Sequence, residues 1–530
     1  MEAQYWGAGS SNHLAFIHPV MASTTNPGAV ATARLRAQSP LTWGATTPWP
    51  GVVGHTVAAA QCEPACPNLT TTGFKGAEWP SAAMPLGDGR MAADDLNTRW
   101  IGGLLSTNLI QYWEYSRDMA VLADRVYPFV RDNAEFYRTY ALPGADGKLL
   151  FPYSCAQEAC QCYDGGFVKT PIVPVPNMSS LCPNPNSPFE DRCPGASGWM
   201  KNHPCYECEP AISTSGGPDG FHNAFTDVAF SSYSFRNAVR FAALLGVDAE
   251  LALQWQAALD AMPPYPSADF TFVEGAKGSE FNGGAGYFVE SEYGHHPGVL
   301  PANSTITPVL WPWCNTANPL GTFAAMWPTD EIGASQTKDA ALLARAKQTV
   351  YAINNYPGAG ASTPWANTNG FCLSWPPAVR VSGRADAATL VGKFSTAIQA
   401  TTVHNACVHN KGGMLENIGA TAAINDLLLQ SHGGVLRFFP VWDAAALGPA
   451  AFTTLRAYGA FLVTASVGAG GAVSPVALVS EVGGEVVFES PWAGIPAVTD
   501  GQGATIPITI VSPGIFSFPT TASGTYTISG

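Results

Sequence analysis

Residues 412–442 read GGMLENIGATAAINDLLLQSHGGVLRFFPVW, and the stretch changes its period part-way along. Up to about residue 431 the apolar side chains recur at three- and four-residue steps, as on one face of a helix. From Gly433 onward, short β-branched and aromatic runs are bounded by Gly and Pro. The chain therefore predicts helices before this point and sheet after it. Downstream, RAYGAFLVTASV, PVALVSEVGGEVVFES, ATIPITIVS and GTYTISG repeat the strand texture and predict an antiparallel β-sandwich over 434–530. Upstream, Trp100, Leu104, Leu105, Leu109 and Trp113, then Val121, Leu122, Val126, Phe129, Val130 and Tyr137, give helical spacing over 100–141. Pro128 is expected to bend or interrupt the second of these helices. Further helices are expected over about 222–262, 335–354, 385–400 and 417–431. The loops at 40–95, 143–220 and 264–330 far exceed the usual connection of about five residues, and loops of that length generally serve function.

Composition narrows the classes of function. The chain has 530 residues and a formal charge of −14, with 12% of residues charged. It carries no basic run, so a nucleic-acid partner is disfavoured, because binding a polyanion takes clustered Lys and Arg. No uninterrupted apolar stretch is long enough to span a membrane. Nine of the 12 cysteines fall between Cys62 and Cys208, in segments rich in Pro, Asn and Gly, which reads as disulfide stapling. A zinc site at Cys205-x-x-Cys208 with Cys160-x-Cys162 is the alternative; no second pair stands at zinc-ribbon spacing, so no metal or other cofactor is expected. The sequons at Asn68, Asn177 and Asn303 join the cysteines in pointing to the secretory pathway. Against this, the opening MEAQYWGAGSSNHLAFIHPV has neither the basic tip nor the apolar run of a leader.

Four stretches resemble one family. The 412–442 segment is similar to the signature of family 95 glycoside hydrolases, the α-L-fucosidase family, in which an Asp-Gly-Asn-Phe-Gly-Gly-Thr-Ala-Ala-Ile run leads into a helix ending Leu-Leu-Gln-Ser-His. LRAYGAFLV (455–463) resembles that family's entry into its C-terminal sheet, and residues 112–140 resemble its helix pair. YWGAGSSNHLAFIHPVM (5–21) resembles its Tyr-Trp-Pro-Ala-Glu-Thr-Thr-Asn segment, with Tyr5, Trp6, Ala8, Asn12 and Pro19 identical. The resemblance implies a mainly α fold, an (α/α)6 toroid of the six-hairpin glycosidase type over 1–433, followed by the β-sandwich. It also implies an inverting exo-glycosidase acting on extracellular or cell-wall oligosaccharide or polysaccharide, most simply at terminal α-L-fucose.

Inverting hydrolysis takes a protonated carboxylic acid beside the leaving oxygen and a base that activates water on the opposite sugar face. The resemblance puts Glu158, in FPYSCAQEACQC (151–162), at the place of the family's acid, between cysteines that would hold the loop rigid. Taken alone, Glu158 is a solvated loop residue. For the base, Leu415 stands where the family has its aspartate, and the acid comes one step later at Glu416, with Asn417 matching. Glu416 equally fits a first-turn helix acid favoured by the dipole. Asp227 resembles a family acid that contacts sugar hydroxyls, and Thr226-Asp227 also reads as a plain helix start. Asp330 and Glu331 match a family loop as supporting residues.

The implied substrate-binding set is Asn417, Asp227, Trp6, Asn12 and His432, with His432 also orienting the strand junction. Trp6 belongs to a group of tryptophans, with Trp79, Trp100, Trp113 and Trp311, suited to stacking on sugar faces or to core packing. The family's paired water-orienting asparagines align just before Met1, so the resemblance implies that Met1 is an internal position of a longer catalytic segment. A catalytically inactive glycan-binding relative, and a six-hairpin glycosidase of different sugar specificity, are the competing readings.

Overall fold

The computed structural model describes residues 6–38, 75–77, 79, 99–144, 146–151, 221–268, 286–288, 292–293, 320–354, 368–401 and 419–530. As far as Leu428 these are mostly helices; beyond it they are mostly strands. Besides two short turns at Met119–Val121 and Ala444–Leu447, the helices are α1 (Trp6–Ser10), α2 (His18–Thr24), α3 (Pro27–Gln38), α4 (Ile101–Ser116), α5 (Tyr127–Tyr140), α6 (Phe225–Leu245), α7 (Ala249–Asp260), α8 (Leu320–Phe323), α9 (Ala340–Asn354), α10 (Thr368–Leu373), α11 (Trp375–Val381), α12 (Ala387–Thr401) and α13 (Ala420–Leu428). Among the described residues no helix is long and apolar enough to cross a membrane.

Several boundaries differ from the periodicity for local reasons. The expected break at Pro128 takes the form of a wide turn. Residues Leu122–Val126 are π-helical, and the Tyr127 N–H reaches back to Leu122 O, so the ring of Pro128 enters in the first turn of α5 without displacing an intrahelical bond. The helix expected from 335 begins at Ala340, because the Asp339 carboxylate accepts the N–H groups of Ala341 and Leu342 and caps it there. The helix expected to run to 431 ends at Leu428, because Leu429–Gln430 pair as strand with Arg437–Phe438. Helices α1 to α3 carry too many small residues for an apolar stripe to mark them in the sequence.

Side-chain contacts set the order and direction of the helices. Trp100, at the start of α4, stacks on Phe230 near the start of α6 at 5.9 Å, while Trp113 meets Phe241 near their ends at 5.1 Å. The two helices are parallel. α5 runs back along α4, with Tyr137 Oη donating to Arg99 O at 3.2 Å. On the other side of α4, the Trp6 indole of α1 donates to Thr107 Oγ1, and a Cβ on Gly9 would meet the Tyr115 ring. α1 lies equally close to α13, where a Cβ on Gly7 would fall 1.8 Å from Thr421 Oγ1. α13 packs on α10 and α11, and α6 packs on α8. Arg380 of α11 joins α13 to the turn that follows α8 through Asp426 and Asp330.

The C-terminal strands are β1 (Ala450–Ala457), β2 (Phe461–Val467), β3 (Val476–Ser480), β4 (Gly484–Glu489), β5 (Ala497–Asp500), β6 (Thr509–Ser512), β7 (Ile515–Thr520) and β8 (Gly524–Ser529). They form a five-stranded antiparallel sheet in the order β5-β8-β3-β2-β1 and a three-stranded one in the order β4-β7-β6. In β2 the residues Phe461, Val463, Ala465 and Val467 are buried and alternate with less buried neighbours, the period of a strand with one face on a core. That core also takes Val476, Leu478, Val486, Phe488, Phe518 and Ile528, so it draws on both sheets. Cys372 is buried within the helical core. The other cysteines, and with them the expected disulfides and the alternative zinc site, lie outside the described residues.

Candidate active site

The starts of α4, α6 and α13 lie toward one end of the helical body, and their ends toward the other. Asp227 is at the first end, in the first turn of α6, fully buried, where the positive end of the helix dipole favours a carboxylate. The N-cap of α6 is Ala224, so Asp227 is not the capping residue. In sequence, the segment entering α6 carries Glu158, and the segment entering α13 carries Glu416 and Asn417. Those three residues, like the loops they belong to, lie outside the described residues.

Three other members of the expected set are described. Trp6 is 2% exposed, packs edge-on against Trp327 at 5.7 Å and bonds to Thr107, so its ring is core. Trp79, Trp100 and Trp113 are buried as well. Asn12 follows α1 in the left-handed conformation, at φ 62°, and its Oδ1 accepts from Arg456 Nε at 2.9 Å. His432 is buried just beyond the end of α13, and neither ring nitrogen has a hydrogen-bond partner among the described residues. Burial, with Arg380 and Arg437 nearby, holds its pKa well below the ordinary imidazole value, so it is neutral. Asn12 and His432 thus belong to the end opposite Asp227.

That opposite end holds a buried ion cluster centred on Arg380. Arg380 is 4% exposed; its Nε donates to Asp426 Oδ2 at 2.6 Å and its Nη1 to Asp330 Oδ1 at 2.5 Å. Its guanidinium also lies 4.9 Å from the centre of the Trp327 ring. Tyr458, in the turn between β1 and β2, donates to Asp330 Oδ2 at 3.0 Å, and its backbone N–H donates to Ser431 Oγ. One guanidinium faces two buried carboxylates. Desolvation outweighs its attraction and raises both acids, Asp426 to about 6.

Such a carboxyl can hold a proton near neutral pH, as a general acid must. Asp426, however, is buried and bound to Arg380, so it serves as an internal anchor. Glu331, next to Asp330 in the chain, accepts from Arg236 at 2.7 Å and from Tyr265, and Glu114 pairs with Arg117 at 2.8 Å and with Arg240. Among the described residues no cluster of His, Cys, Asp and Glu is grouped to hold a metal ion.

Asp426, Arg380 and this inter-element role of Asp330 were not anticipated from the sequence. The available signal is a lone charge set among apolar residues, as in PAVRVS and INDLLL, which calls for a buried partner.

No protein-family model matches the chain, and no curated protein matches it. Solved structures similar to it include a provisionally assigned kojibiose phosphorylase from the human microbiome, at 11% identity and TM-score 0.40, covering 91% of this chain and 57% of that one. Another is the Streptomyces avermitilis alpha-L-rhamnosidase complexed with L-rhamnose, at 11% identity and TM-score 0.31, covering 81% and 32%. A third is a beta-L-arabinofuranosidase from Geobacillus stearothermophilus T6, at 11% identity and TM-score 0.20, covering 81% and 61%. All three are carbohydrate-acting enzymes by name, and the chain spans less than two thirds of the length of each.

Proposed function

We propose that the chain is a glycoside hydrolase of the six-hairpin type, an inverting exo-glycosidase that removes terminal α-L-fucose or a closely related sugar from secreted or cell-wall glycans. In this reading residues 1–433 form the catalytic toroid and 434–530 a β-sandwich. Glu158 is the general acid, Glu416 the base that activates water, and Asn417 and Asp227 contact the sugar. The loops between helices, with their cysteines and sequons, belong to an oxidising compartment.

One observation supports this above the others. The four segments that resemble the fucosidase family are spread from residue 5 to residue 463 and meet in space. Asn425 Nδ2 of the 412–442 segment donates to Ser10 Oγ at 2.9 Å and to Ser11 Oγ at 2.8 Å, in the 5–21 segment. Arg456, of the 455–463 segment, donates to Asn12 and to the Tyr115 carbonyl, the latter in the 112–140 segment. Residues that resemble one family and also form one contact network fit a shared framework better than four chance matches do. The succession of contacts α1–α4–α6–α8, then Arg380 to α11 and α13, and back to α1, fits a closed ring of inner helices.

The test is release of nitrophenol from p-nitrophenyl α-L-fucoside. Activity of the chain, reduced by at least about 100-fold in Glu158→Gln, is the expected result, in line with removal of a general acid. Full activity in that variant removes Glu158 from the mechanism.

A further inference from the structure

We propose that Asn223 is a positioning residue of the hydrolysis: it pins the stem of the segment that carries Glu158 to the start of α6, where Asp227 stands. This rests on the glycosidase reading and adds to it a residue that acts through the acid and touches no sugar.

Asn223 is 1% exposed and lies just ahead of α6, four residues before Asp227. Its backbone N–H donates to Phe151 O at 2.9 Å, and its side-chain Oδ1 accepts from the Phe151 N–H, also at 2.9 Å. One residue therefore binds both backbone groups of Phe151, as a paired strand would. The ring of Phe151 is fully buried against Tyr137 and Tyr140 of α5. Phe151 is thus fixed by its side chain on one helix and by its backbone at the start of another. Glu158 follows it by seven residues.

The backbone of Asn223 shows what its side chain adds. Its φ is 49°, in the left-handed region that glycine takes without strain and asparagine tolerates better than most residues. Glycine there would keep the N–H bond to Phe151 and lose the Oδ1 bond. Asparagine supplies both, and with a neutral group that is cheaper to bury than a carboxylate.

A second long loop is rooted at the same place. Phe221–His222, just before Asn223, pair with Glu292–Tyr293, and Phe225 in the first turn of α6 packs on Tyr265 at 4.7 Å and Phe288 at 5.1 Å. The stems of 143–220 and 264–330 therefore converge on the first turn of α6, which holds the buried Asp227. A general acid displaced by about 1 Å loses much of its effect, so a stem bound through both backbone groups bears directly on catalysis.

Asn223→Gly keeps the backbone conformation and the N–H bond and removes the side-chain acceptor, whereas Asn223→Asp keeps an oxygen in its place. For the full chain and both variants, kcat and KM are measured on p-nitrophenyl α-L-fucoside and on an α-L-fucosylated oligosaccharide, with melting temperatures alongside. A sugar leaving group needs more proton assistance than nitrophenolate, so a displaced acid is felt most on the oligosaccharide. The expected Asn223→Gly variant melts within a few degrees of wild type and keeps KM. Its kcat falls at least about tenfold on the oligosaccharide and less on the nitrophenyl substrate, and Asn223→Asp restores most of the loss. Equal losses on the two substrates, a loss that Asn223→Asp does not restore, or a glycine variant that melts far lower or fails to fold makes Asn223 a purely structural residue and overturns the proposal. An active wild type with an unchanged Asn223→Gly sinks this inference alone. A wild type that hydrolyses neither substrate sinks the reading beneath it.

Discussion

Arg456 Nε donates to Asn12 Oδ1 at 2.9 Å, joining residues 444 positions apart. The same guanidinium reaches the Tyr115 carbonyl at 3.0 Å and Glu481 through a second nitrogen at 2.8 Å, so one β1 side chain ties the sheet to the ends of α1 and α4. Asn12 has a left-handed backbone that Gly adopts without strain. Asn12→Gly is therefore expected to cost about 1 kcal/mol, the lost hydrogen bond alone. Asn12→Ala adds about 1 kcal/mol of backbone strain. Arg456→Ala leaves Asn12, the Tyr115 carbonyl and Glu481 without their donor and is expected to cost about 2–3 kcal/mol. Urea unfolding of the three variants checks the order.

Asp426 makes stability depend on pH. Its folded pKa of about 6 lies above the unfolded value near 3.9, so folding favours the protonated acid. The resulting stabilisation is full below the unfolded pKa and is lost as the pH rises through the folded one. The difference in stability between wild type and Asp426→Asn should therefore shift by on the order of 2–3 kcal/mol between pH 4 and 7, against wild type as the pH rises. Asp330, raised in the same way, pushes wild type in the same direction. Unfolding curves at a series of pH values test this, and a constant difference would contradict it.

Arg380 is the only described partner holding Asp330 and Asp426 together. Arg380→Met leaves two buried carboxylates facing each other and is expected to destabilise by about 3–5 kcal/mol. Adding Asp330→Asn and Asp426→Asn removes both charges and should recover much of that loss. Equal stability of the single and triple variants would show that the loss comes from packing.

Gly7 is required by close approach. A Cβ there would lie 1.8 Å from Thr421 Oγ1 and 3.1 Å from the Ala422 backbone nitrogen. Gly7→Ala should cost about 1–3 kcal/mol by forcing α1 away from α13. Thr421→Ala in the same chain removes the nearest atom but leaves the Thr421 Cβ position 2.9 Å away, so recovery should be partial. Thermal melting of the single and double variants decides it.

The helices with broad apolar faces, α4 to α7, α9 and α12, were legible because their buried residues recur at helical spacing. The switch to sheet after residue 433 was legible because β2, β3 and β7 are rich in β-branched and aromatic residues. α1 was not, since WGAGS packs through the absence of side chains at Gly7 and Gly9. Nor was the Asp330–Arg380–Asp426 network, whose members belong to three elements spread over about a hundred residues of chain. The spatial split between Asp227 on one side and Asn12 with His432 on the other was also hidden, because adjacency to a signature in sequence says nothing about which end of a helix a residue occupies.

Proton NMR of the anomeric signals during hydrolysis of an α-L-fucosylated oligosaccharide tests the central claim most directly. An inverting glycosidase predicts that β-L-fucose forms first and mutarotates afterwards, with no release by Glu158→Gln or Glu416→Gln. First formation of the α-anomer, release undiminished in those variants, or no sugar released from any glycan by the chain would contradict it.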